Sequence, residues 1–256
     1  MFTPATLACE DAYLSCFTTK NVEAQYDRLT DELLPDMYAH NLIHLRTGLS
    51  EADWYAIVSA ELAVRAGSTH CRIYAYEAPP QSLREQYGDG MEVSEDLFFR
   101  WSGDCSAWTS RPDVTMRRYA SDLEADYLAL KDEAHPNLIT LDFALRRARR
   151  FLAGYQAHST QFTLYLAYLG DKPVGQMHLF RHGDTVKLEN FAVLPAFQRQ
   201  GIGTTMMKFM LGEAAALGST LTYLVAAEED TAKDMYCSMG FEQLSLSGYA
   251  LDWLNP

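Results

Sequence analysis

The segment 193–204 has the residue types and spacing of a site that holds a negatively charged group. Gly201 and Gly203 lie between an apolar run ending at Val193 and a helical pattern beginning near Thr204. Glycines at a helix entrance let successive backbone N–H groups converge, and the positive end of the helix dipole favours an anion there. No Gly-Lys-Ser or Gly-Lys-Thr follows, as a P-loop requires, and the third glycine of the dinucleotide fingerprint is missing. The spacing alone leaves open a phosphate site or an ordinary tight loop.

The elements that would position this loop alternate between strands and helices. Three apolar strands joined by short turns predict an antiparallel meander that leads into the loop. A helix, a buried strand, a second helix and a tail (241–254) with room for two strands should follow. The predicted strands are 114–119, 162–169, 174–181, 185–193 and 220–226, and the predicted helices are 121–132, 141–155, 203–217 and 230–239.

Two motifs resemble those of the GNAT superfamily of acetyl-coenzyme A (acetyl-CoA) dependent N-acetyltransferases. Members have a strand ending in Val-x-Pro, then Gln or Arg-x-x-Gly-x-Gly or Ala before a helix. The matching residues are Val193, Pro195, Gln198, Gly201 and Gly203. The last helix of the family often reads Ala-x-x-x-Tyr and then Gly-Phe. The residues at those spacings are Ala232, Tyr236, Gly240 and Phe241. The resemblance covers 114–256 and implies an α/β fold of the α+β type, with a mixed, mostly antiparallel sheet flanked by helices.

The resemblance also implies acetyl-CoA as a cosubstrate, with no metal. The strand that carries Phe191 would splay from the strand 220–226, so that its backbone groups pair with the pantetheine arm. The loop amides would bind the pyrophosphate, with the guanidinium of Arg199 beside it. The implied cofactor-binding residues are Phe191, Ala192, Val193, Gln198, Arg199, Gln200, Gly201, Ile202, Gly203 and Thr204.

Tyr236 and Glu189 are the candidate catalytic residues. Tyr236 stands at the tyrosine position of the family, where a phenol near the sulfur can protonate the departing thiolate. Glu189 shares a strand face with Phe191 and could take the amine proton through water. Both have structural alternatives, because Tyr236 could simply pack in the core and Glu189 could pair with Lys187.

Two other carboxylates are alternatives to Glu189 as the base. Glu228 and Glu229 follow the strand 220–226. Family members often have Asn where Glu229 stands, which is a departure from the pattern. The sequence leaves the choice among the three carboxylates open.

Composition excludes several classes of protein. The 256 residues include 34 acidic and 21 basic side chains, a net charge of −13, which opposes general binding to nucleic acid or to anionic membranes. No apolar run is long enough to span a bilayer, and Glu10 and Asp11 interrupt the region where a signal peptide would need an apolar stretch. Five scattered cysteines lack metal or redox spacing. We expect a cytoplasmic protein.

The charge is divided unequally along the chain. Residues 1–113 hold 8 basic and 18 acidic side chains, and the remainder holds 13 and 16. This predicts an acidic α/β domain at 1–112 and a GNAT domain at 113–256. The first part predicts a helix at 50–66 and strands at 70–77 and 95–101. It could be a degenerate tandem copy of the same fold or a separate domain that recruits substrate, and we expect it to bind no cofactor.

Three further clusters have both a functional and a structural interpretation. His40 and His44 are four apart on a possible helix, but the pattern lacks the Glu of a zinc protease. The arginines between Arg146 and Arg150 suggest a solvated helix face, with docking of an acidic partner or of the acidic first part as the alternative. Trp101 and Trp108 either line a substrate site or are buried at the junction.

The sequence therefore predicts an N-acetyltransferase that transfers an acetyl group to a primary amine by direct attack. The acceptor is a small-molecule amine or a protein amine, and the sequence does not choose between them. It also leaves the natural acyl group and the oligomeric state open, with a homodimer as one option. The alternative function is a non-catalytic acyl-CoA sensor or interaction module.

Overall fold

The protein, described as a computed structural model, is defined over residues 4–134 and 140–254. Within these ranges it forms seven α-helices and eleven β-strands. The helices are α1 (Pro4–Ser15), α2 (Glu51–Arg65), α3 (Gln81–Tyr87), α4 (Glu124–Ala134), α5 (Leu141–Ala157), α6 (Ile202–Ala216) and α7 (Ala232–Met239). The strands are β1 (Thr19–Val22), β2 (Tyr26–Thr30), β3 (Leu42–Leu45), β4 (His70–Ala75), β5 (Glu92–Trp101), β6 (Val114–Arg118), β7 (Phe162–Leu169), β8 (Lys172–His182), β9 (Thr185–Val193), β10 (Leu221–Ala227) and β11 (Phe241–Leu254). None of the described helices is long and apolar enough to cross a bilayer.

All eleven strands belong to one sheet, in the order β1-β2-β3-β4-β11-β5-β10-β9-β8-β7-β6. Two neighbouring pairs, β3 with β4 and β9 with β10, run parallel. The other neighbours are antiparallel. The predicted fold class, a mixed and mostly antiparallel sheet flanked by helices, is confirmed.

Local sequence signals fix several of these elements. The predicted meander is confirmed, since β7, β8 and β9 pair in succession. The helix predicted from Ser50 begins with a capping box, in which Ser50 and Asp53 each accept a hydrogen bond from the other's backbone N–H. The helix predicted from Ser121 starts instead as a 3₁₀ turn, Ser121–Leu123, that leads into α4.

The tail forms one long strand, so the expectation of two strands was wrong. β11 pairs with β5 on both sides of an irregularity between Gln243 and Ser247, so the strand continues through this shift in register. Along its second half, β11 pairs with β4 on its other edge. The last strand therefore lies between two strands of the first part.

The cores also combine both parts of the chain. Leu251 and Trp253 of β11 are buried with α2 and β4, while Leu97 and Phe99 of β5 are buried with α6 and β10. The predicted boundary at 112/113 stays a prediction, and the strand pairing and the cores both extend across it.

The arginines of α5 bind the acidic first part. Arg146 donates to the carboxylate of Asp36, at 2.9 Å from Nη1. Arg150 donates from Nε to Asp31 at 2.9 and 3.0 Å, and from Nη2 to a backbone carbonyl oxygen of the first part at 2.6 Å. Docking of the first part is thus the interpretation that the contacts support for these two side chains.

Candidate active site

The glycine loop connects β9 to α6 through a 3₁₀ turn, Pro195–Phe197. Gly201 occupies the N-cap of α6 with a φ of +79°, in the left-handed region that glycine adopts without a steric penalty. Among the described residues no side chain caps the first amides of this helix. A Cβ at Gly203 would lie 3.3 Å from the ring of Phe191, so the helix entrance approaches β9 closely. The loop therefore offers backbone N–H groups beside the end of β9.

The predicted cofactor-binding residues have different surroundings in this loop. Gln198 donates its amide to the Val193 carbonyl at 3.0 Å, and Gln200 donates to the Ala196 carbonyl at 3.1 Å, so both side chains hold the loop in shape. Ile202 is buried in the core. Arg199, with a φ of +60°, is exposed. The remaining members, which lie along the end of β9 or at the start of α6, are Phe191, Ala192, Val193, Gly201, Gly203 and Thr204.

Arg111 is a residue of the loop that the sequence did not identify. It lies in the connection between β5 and β6 and donates from Nη1 to the Gln200 carbonyl at 3.1 Å. Its backbone N–H donates to the Thr205 hydroxyl at 2.9 Å, and its aliphatic stem lies beside Gly201. No spacing pattern connects Arg111 to a loop 90 residues later, so only the folded chain reveals this second cation.

A cleft opens where β9 and β10 separate. Their parallel pairing runs from Thr185 with Leu221 to Leu188 with Leu224 and ends there. Beyond this point lies a cavity of about 220 Å³. Its lining residues are Met177, Leu188, Glu189, Asn190, Phe191, Leu224, Val225, Ala226, Ala227, Asp230, Ala232 and Tyr236. The structure thus brings both candidate catalytic residues to the same cleft.

A β-bulge marks the edge of this cleft. Gln176 of β8 pairs with Ala192 and His178 pairs with Glu189, so β9 has one extra residue in this interval. Asn190, in the bulge, has a φ of +52°, which asparagine tolerates better than most residues. Its amide nitrogen lies 3.2 Å from Nδ1 of His178. Because of the extra residue, Glu189 lies on the same strand face as Ala192, so the expectation that it shares a face with Phe191 was wrong.

Tyr236 projects from α7 into the cleft and packs on Phe99 and Phe241, with ring centroids 6.3 and 5.8 Å away. Burial raises the pKa of its phenol to about 12, and the negative charges of Glu189 and Asp230 act in the same direction. The phenol therefore stays protonated through the neutral range, as a proton donor must.

Glu189 belongs to a buried charge network. Lys187 places its Nζ 2.9 Å from Glu189 and 2.9 Å from Glu10 of α1. Glu10 also accepts a hydrogen bond of 2.7 Å from the Tyr223 hydroxyl. Burial alone would lower the pKa of Lys187, but Glu10 and Glu189 outweigh it and raise the pKa well above its usual value. The ion pair named as the structural alternative for Glu189 is therefore present.

The two alternative carboxylates lie outside the cleft lining. Glu228 is exposed and pairs with Lys233 at 2.6 Å. Glu229 is exposed in the turn that follows β10. Of the three carboxylates, Glu189 is the one that lines the cleft.

A larger cavity of about 340 Å³ adjoins the cleft and shares five lining residues with it. The shared residues are Glu189, Asn190, Val225, Ala226 and Ala227. The first part supplies most of the other walls, through α1, the chain before β3, and the strands β3, β4 and β5. These side chains include Tyr13, Tyr38, His40, Arg72, Tyr74, Asp96 and Phe98. The cavity is thus built by both parts of the chain.

The remaining sequence candidates have structural roles. His40 lies in a turn and His44 on β3, so the expected helix carrying both is not formed. His40 pairs with the buried Asp31 at 2.9 Å. In the part of the chain that the structure covers, no group of three His, Cys, Asp or Glu side chains could hold a metal. Trp101 and Trp108 contact each other edge to face and pack against the core.

Comparison with known proteins gives matches in sequence and in fold. Residues 160–243 match the acetyltransferase (GNAT) domain model. The chain is 25% identical over 232 residues to the uncharacterized N-acetyltransferase CgeE of Bacillus subtilis, covering 85% of this chain and 86% of that protein. Its fold is similar to a functionally unknown conserved protein from Staphylococcus epidermidis, with a TM-score of 0.80, 20% identity and coverage of 96% and 97%.

A second solved structure shares the fold over a similar length. The GCN5-related N-acetyltransferase from Kribbella flavida aligns with a TM-score of 0.68 and 16% identity, covering 97% of this chain and 94% of that one. At these identities the solved structures establish the fold alone. The matched domain model and the relative CgeE lead to the conclusion that residues 160–243 form an acetyltransferase (GNAT) domain and that the protein is an acyltransferase.

Proposed function

We propose that the protein transfers an acetyl group from acetyl-CoA to a primary amine, and that the reaction takes place in the cleft between β9 and β10. The observation that carries this proposal is the convergence of Glu189 and Tyr236 on that cleft, next to the uncapped N-terminus of α6. Transfer of an acyl group from a thioester requires a base, an acid and a site for the anionic cosubstrate, and all three lie at this opening.

The residues around the loop fit acetyl-CoA. Beyond Leu188 the edge of β9 is no longer paired with β10, so its backbone groups can pair with an extended ligand. The amides at Gly201 and Gly203 suit a pyrophosphate, and Arg111 and Arg199 add two cations there. When bound, acetyl-CoA supplies the thioester whose acyl group is transferred.

We propose that Tyr236 donates a proton to the leaving sulfur. Its phenol has a pKa of about 12, whereas an alkyl thiol has a pKa of about 8.5, so full proton transfer is uphill by roughly 5 kcal/mol. This is well below the barrier of about 16 kcal/mol for a turnover of about 10 per second. Tyr236 is therefore a competent donor, and its hydrogen bond strengthens as negative charge develops on the sulfur.

We propose that Glu189 accepts the proton of the attacking amine. It lines both the cleft and the larger cavity, so an amine that enters from the cavity meets this carboxylate before it reaches the thioester. Lys187 holds the carboxylate in place from 2.9 Å, at the wall that the two openings share. Direct attack follows once the amine is neutral.

We propose that the first part is a diverged copy of the catalytic part. In both parts three strands precede a helix, a strand, a second helix and a last strand, which gives the series β1-β2-β3-α2-β4-α3-β5 and β7-β8-β9-α6-β10-α7-β11. The third and fourth strands of each series are parallel neighbours, and the two last strands lie side by side in the centre of the sheet. This correspondence supports the tandem interpretation over an unrelated domain.

The first part lacks a free counterpart of the cofactor loop. In the chain leading to α2, the N–H of Gly48 donates to the carboxylate of Glu77 at 2.8 Å, and Ser50 and Asp53 cap the helix. Carboxylates thus occupy the positions where a phosphate would bind. We propose that the first part binds the acceptor and that the cofactor binds only beside α6.

The proposed function is tested by thiol release. Purified protein is incubated with acetyl-CoA and a panel of primary amines, and the free thiol is followed with a chromogenic disulfide. We expect release that depends on one class of amine. Tight binding of acetyl-CoA without release for any amine would support a sensor and overturn the proposal.

Two matched glycine variants test the loop. Gly203→Val places γ-carbons against Phe191 at the helix entrance, and calorimetry should show at least about a tenfold weaker affinity for CoA. Gly212→Val is the control, because Gly212 is exposed in the same helix with open space around it. Equal affinities of the two variants would reject the loop assignment.

A further inference from the structure

Two cations beside the reaction centre have no acidic partner among the side chains that the structure describes. Lys131 of α4 and Arg147 of α5 line a cavity of about 230 Å³ between these helices and the edges of β8 and β9. Arg147 also lines the larger cavity. Arg147 therefore lies between the two openings, and Lys131 lies on the side of the smaller one.

Their contacts are neutral groups. Lys131 donates to the side-chain oxygen of Gln176 at 2.5 Å and lies 4.6 Å from the centre of the Tyr127 ring. The guanidinium of Arg147 lies 5.9 Å from the centre of the Phe151 ring. Within residues 4–131 and 140–254, neither cation has a carboxylate within 4.0 Å.

The other cations that line the larger cavity are all paired. Arg72 donates to both oxygens of Asp252, at 2.7 and 2.5 Å. Lys187 lies between Glu10 and Glu189. Among these cations Arg147 alone has no ion pair with a described carboxylate, so its guanidinium can still bind an anion.

The two positive charges act on each other. Burial, and after it the positive charge of Arg147, lower the pKa of Lys131 to about 7. Two adjacent cations with little access to water are unfavourable unless an anion joins them. A bound carboxylate or phosphate would remove this repulsion and accept hydrogen bonds from both side chains.

The anion would lie close to the attacking amine. Asn190 lines all three openings, namely the cleft, the larger cavity and the cavity at Lys131. Asn190 directly follows Glu189 on β9. The cavity that contains both cations therefore begins next to the proposed base. Glu189 and Arg147 both line the larger cavity of about 340 Å³, so one small molecule bound there can contact both.

We propose that the acceptor is a small molecule carrying a carboxylate or phosphate group in addition to its primary amine, and that Lys131 and Arg147 bind this anionic group. The inference rests on the proposed function and narrows its substrate class. In this inference Arg147 selects the acceptor, because a planar guanidinium can donate hydrogen bonds to two oxygens of a carboxylate or of a phosphate. Simple polyamines and uncharged amino sugars would then be poor acceptors.

The test uses pairs of amines that differ in one charge. The pairs are 4-aminobutyrate with its methyl ester, phosphoethanolamine with ethanolamine, and glucosamine 6-phosphate with glucosamine. We expect the anionic member of at least one pair to have a kcat/KM higher by about 10- to 100-fold, as charge-assisted hydrogen bonds predict. Comparing the first pair with the other two distinguishes a carboxylate from a phosphate. Equal kcat/KM within every pair would overturn the inference.

Three variants test whether Lys131 and Arg147 cause the preference for the anionic amines. Arg147→Gln and Lys131→Gln should raise KM for the anionic member and leave the neutral member within about threefold, because neutral acceptors make no ion pair. Arg149→Gln is the control, as Arg149 is exposed on the same helix. A loss that is equal for both members would indicate a structural role and contradict the inference.

Binding measurements separate failure of this inference from failure of the proposed function. Without thiol release from any amine, the same pairs are titrated calorimetrically into the protein saturated with CoA. Binding of an anionic member that Arg147→Gln abolishes would support the inference although acetyl transfer had failed. The absence of any difference between the members of all pairs would overturn it.

Discussion

Substitution of Lys187 by Met tests the charge network behind the proposed base. Lys187 is 5% exposed and its Nζ lies 2.9 Å from each of two carboxylates, Glu10 on α1 and Glu189 on β9. Methionine has a similar length and no charge, so Lys187→Met removes the cation and retains most of the packing. The two carboxylates then face each other in a poorly solvated site.

The structure sets the size of the expected effect. At an effective dielectric constant of 20, each contact of 2.9 Å corresponds to about 6 kcal/mol of attraction. Much of this offsets the desolvation of the lysine, and removal of one partner from a buried ion pair costs about 3 to 5 kcal/mol of stability. A carboxylate that loses a neighbouring cation protonates at a pH higher by about 1 to 3 units.

The assay is the pH dependence of kcat/KM, with thermal unfolding in parallel. The pKa of Lys187 is raised, so the lysine stays charged at every assay pH and does not titrate itself. The acid limb of the profile reports protonation of the base, so we expect Lys187→Met to move this limb upward by about 1 to 3 pH units. Lys187→Arg should keep the limb in place, because the charge is retained.

An exposed ion pair provides the control. Lys233→Met removes the partner of the exposed Glu228, which should leave both the stability and the pH profile nearly unaltered, because solvent screens an exposed ion pair. A folded Lys187→Met protein with an unshifted acid limb would refute Glu189 as the base. If Lys187→Met does not fold, the pH dependence of kcat/KM for Glu189→Gln tests the assignment instead. The acid limb must disappear in this variant if Glu189 is the base.

Three further variants test separate parts of the site and fold. Tyr236→Phe should lower kcat by roughly 100-fold or more with little change in KM, since it removes only the proton donor; full turnover at saturating substrate would exclude this role. Arg111→Gln should weaken CoA binding and flatten its salt dependence, because one cation leaves the loop, whereas an unchanged salt slope measured by calorimetry would place Arg111 outside the phosphate site. Asp31→Asn should lower the free energy of unfolding by about 3 to 5 kcal/mol, because it leaves the Arg150 guanidinium without its buried partner, and urea denaturation that differs by less than about 1 kcal/mol would contradict this.

Local patterns in the sequence were sufficient for much of the catalytic part. The apolar runs and short turns predicted the meander, and two glycines next to a helical pattern predicted the loop at Gly201 and Gly203. Tyr236 was identified through the resemblance of the segment from Ala232 to Phe241 to the last helix of the GNAT superfamily. Each of these signals depends on residues that are neighbours in the chain, which is the range over which propensity and periodicity act.

The parts that sequence reasoning missed depend on long-range contacts. Arg111 reaches the loop only because β5 passes through the centre of the sheet. The bulge at Asn190 arises from pairing with β8, and neither strand alone shows an extra residue. The sequence suggested a solvated helix face for Arg147 and gave no signal for Lys131. That neither has a carboxylate partner among the described side chains became visible only in the folded chain.

The position of β11 determines when the protein can complete its fold during synthesis. When the ribosome has made the first 112 residues, β4 and β5 have been translated, but the strand that separates them is still more than a hundred residues away. Until it arrives, both strands have an unpaired edge and the core at α2 lacks Leu251 and Trp253. We therefore expect the acceptor cavity to form late, as one of the last steps of folding and after the meander, whose contacts are local. Insertion of β11 makes acceptor binding dependent on translation through residue 254.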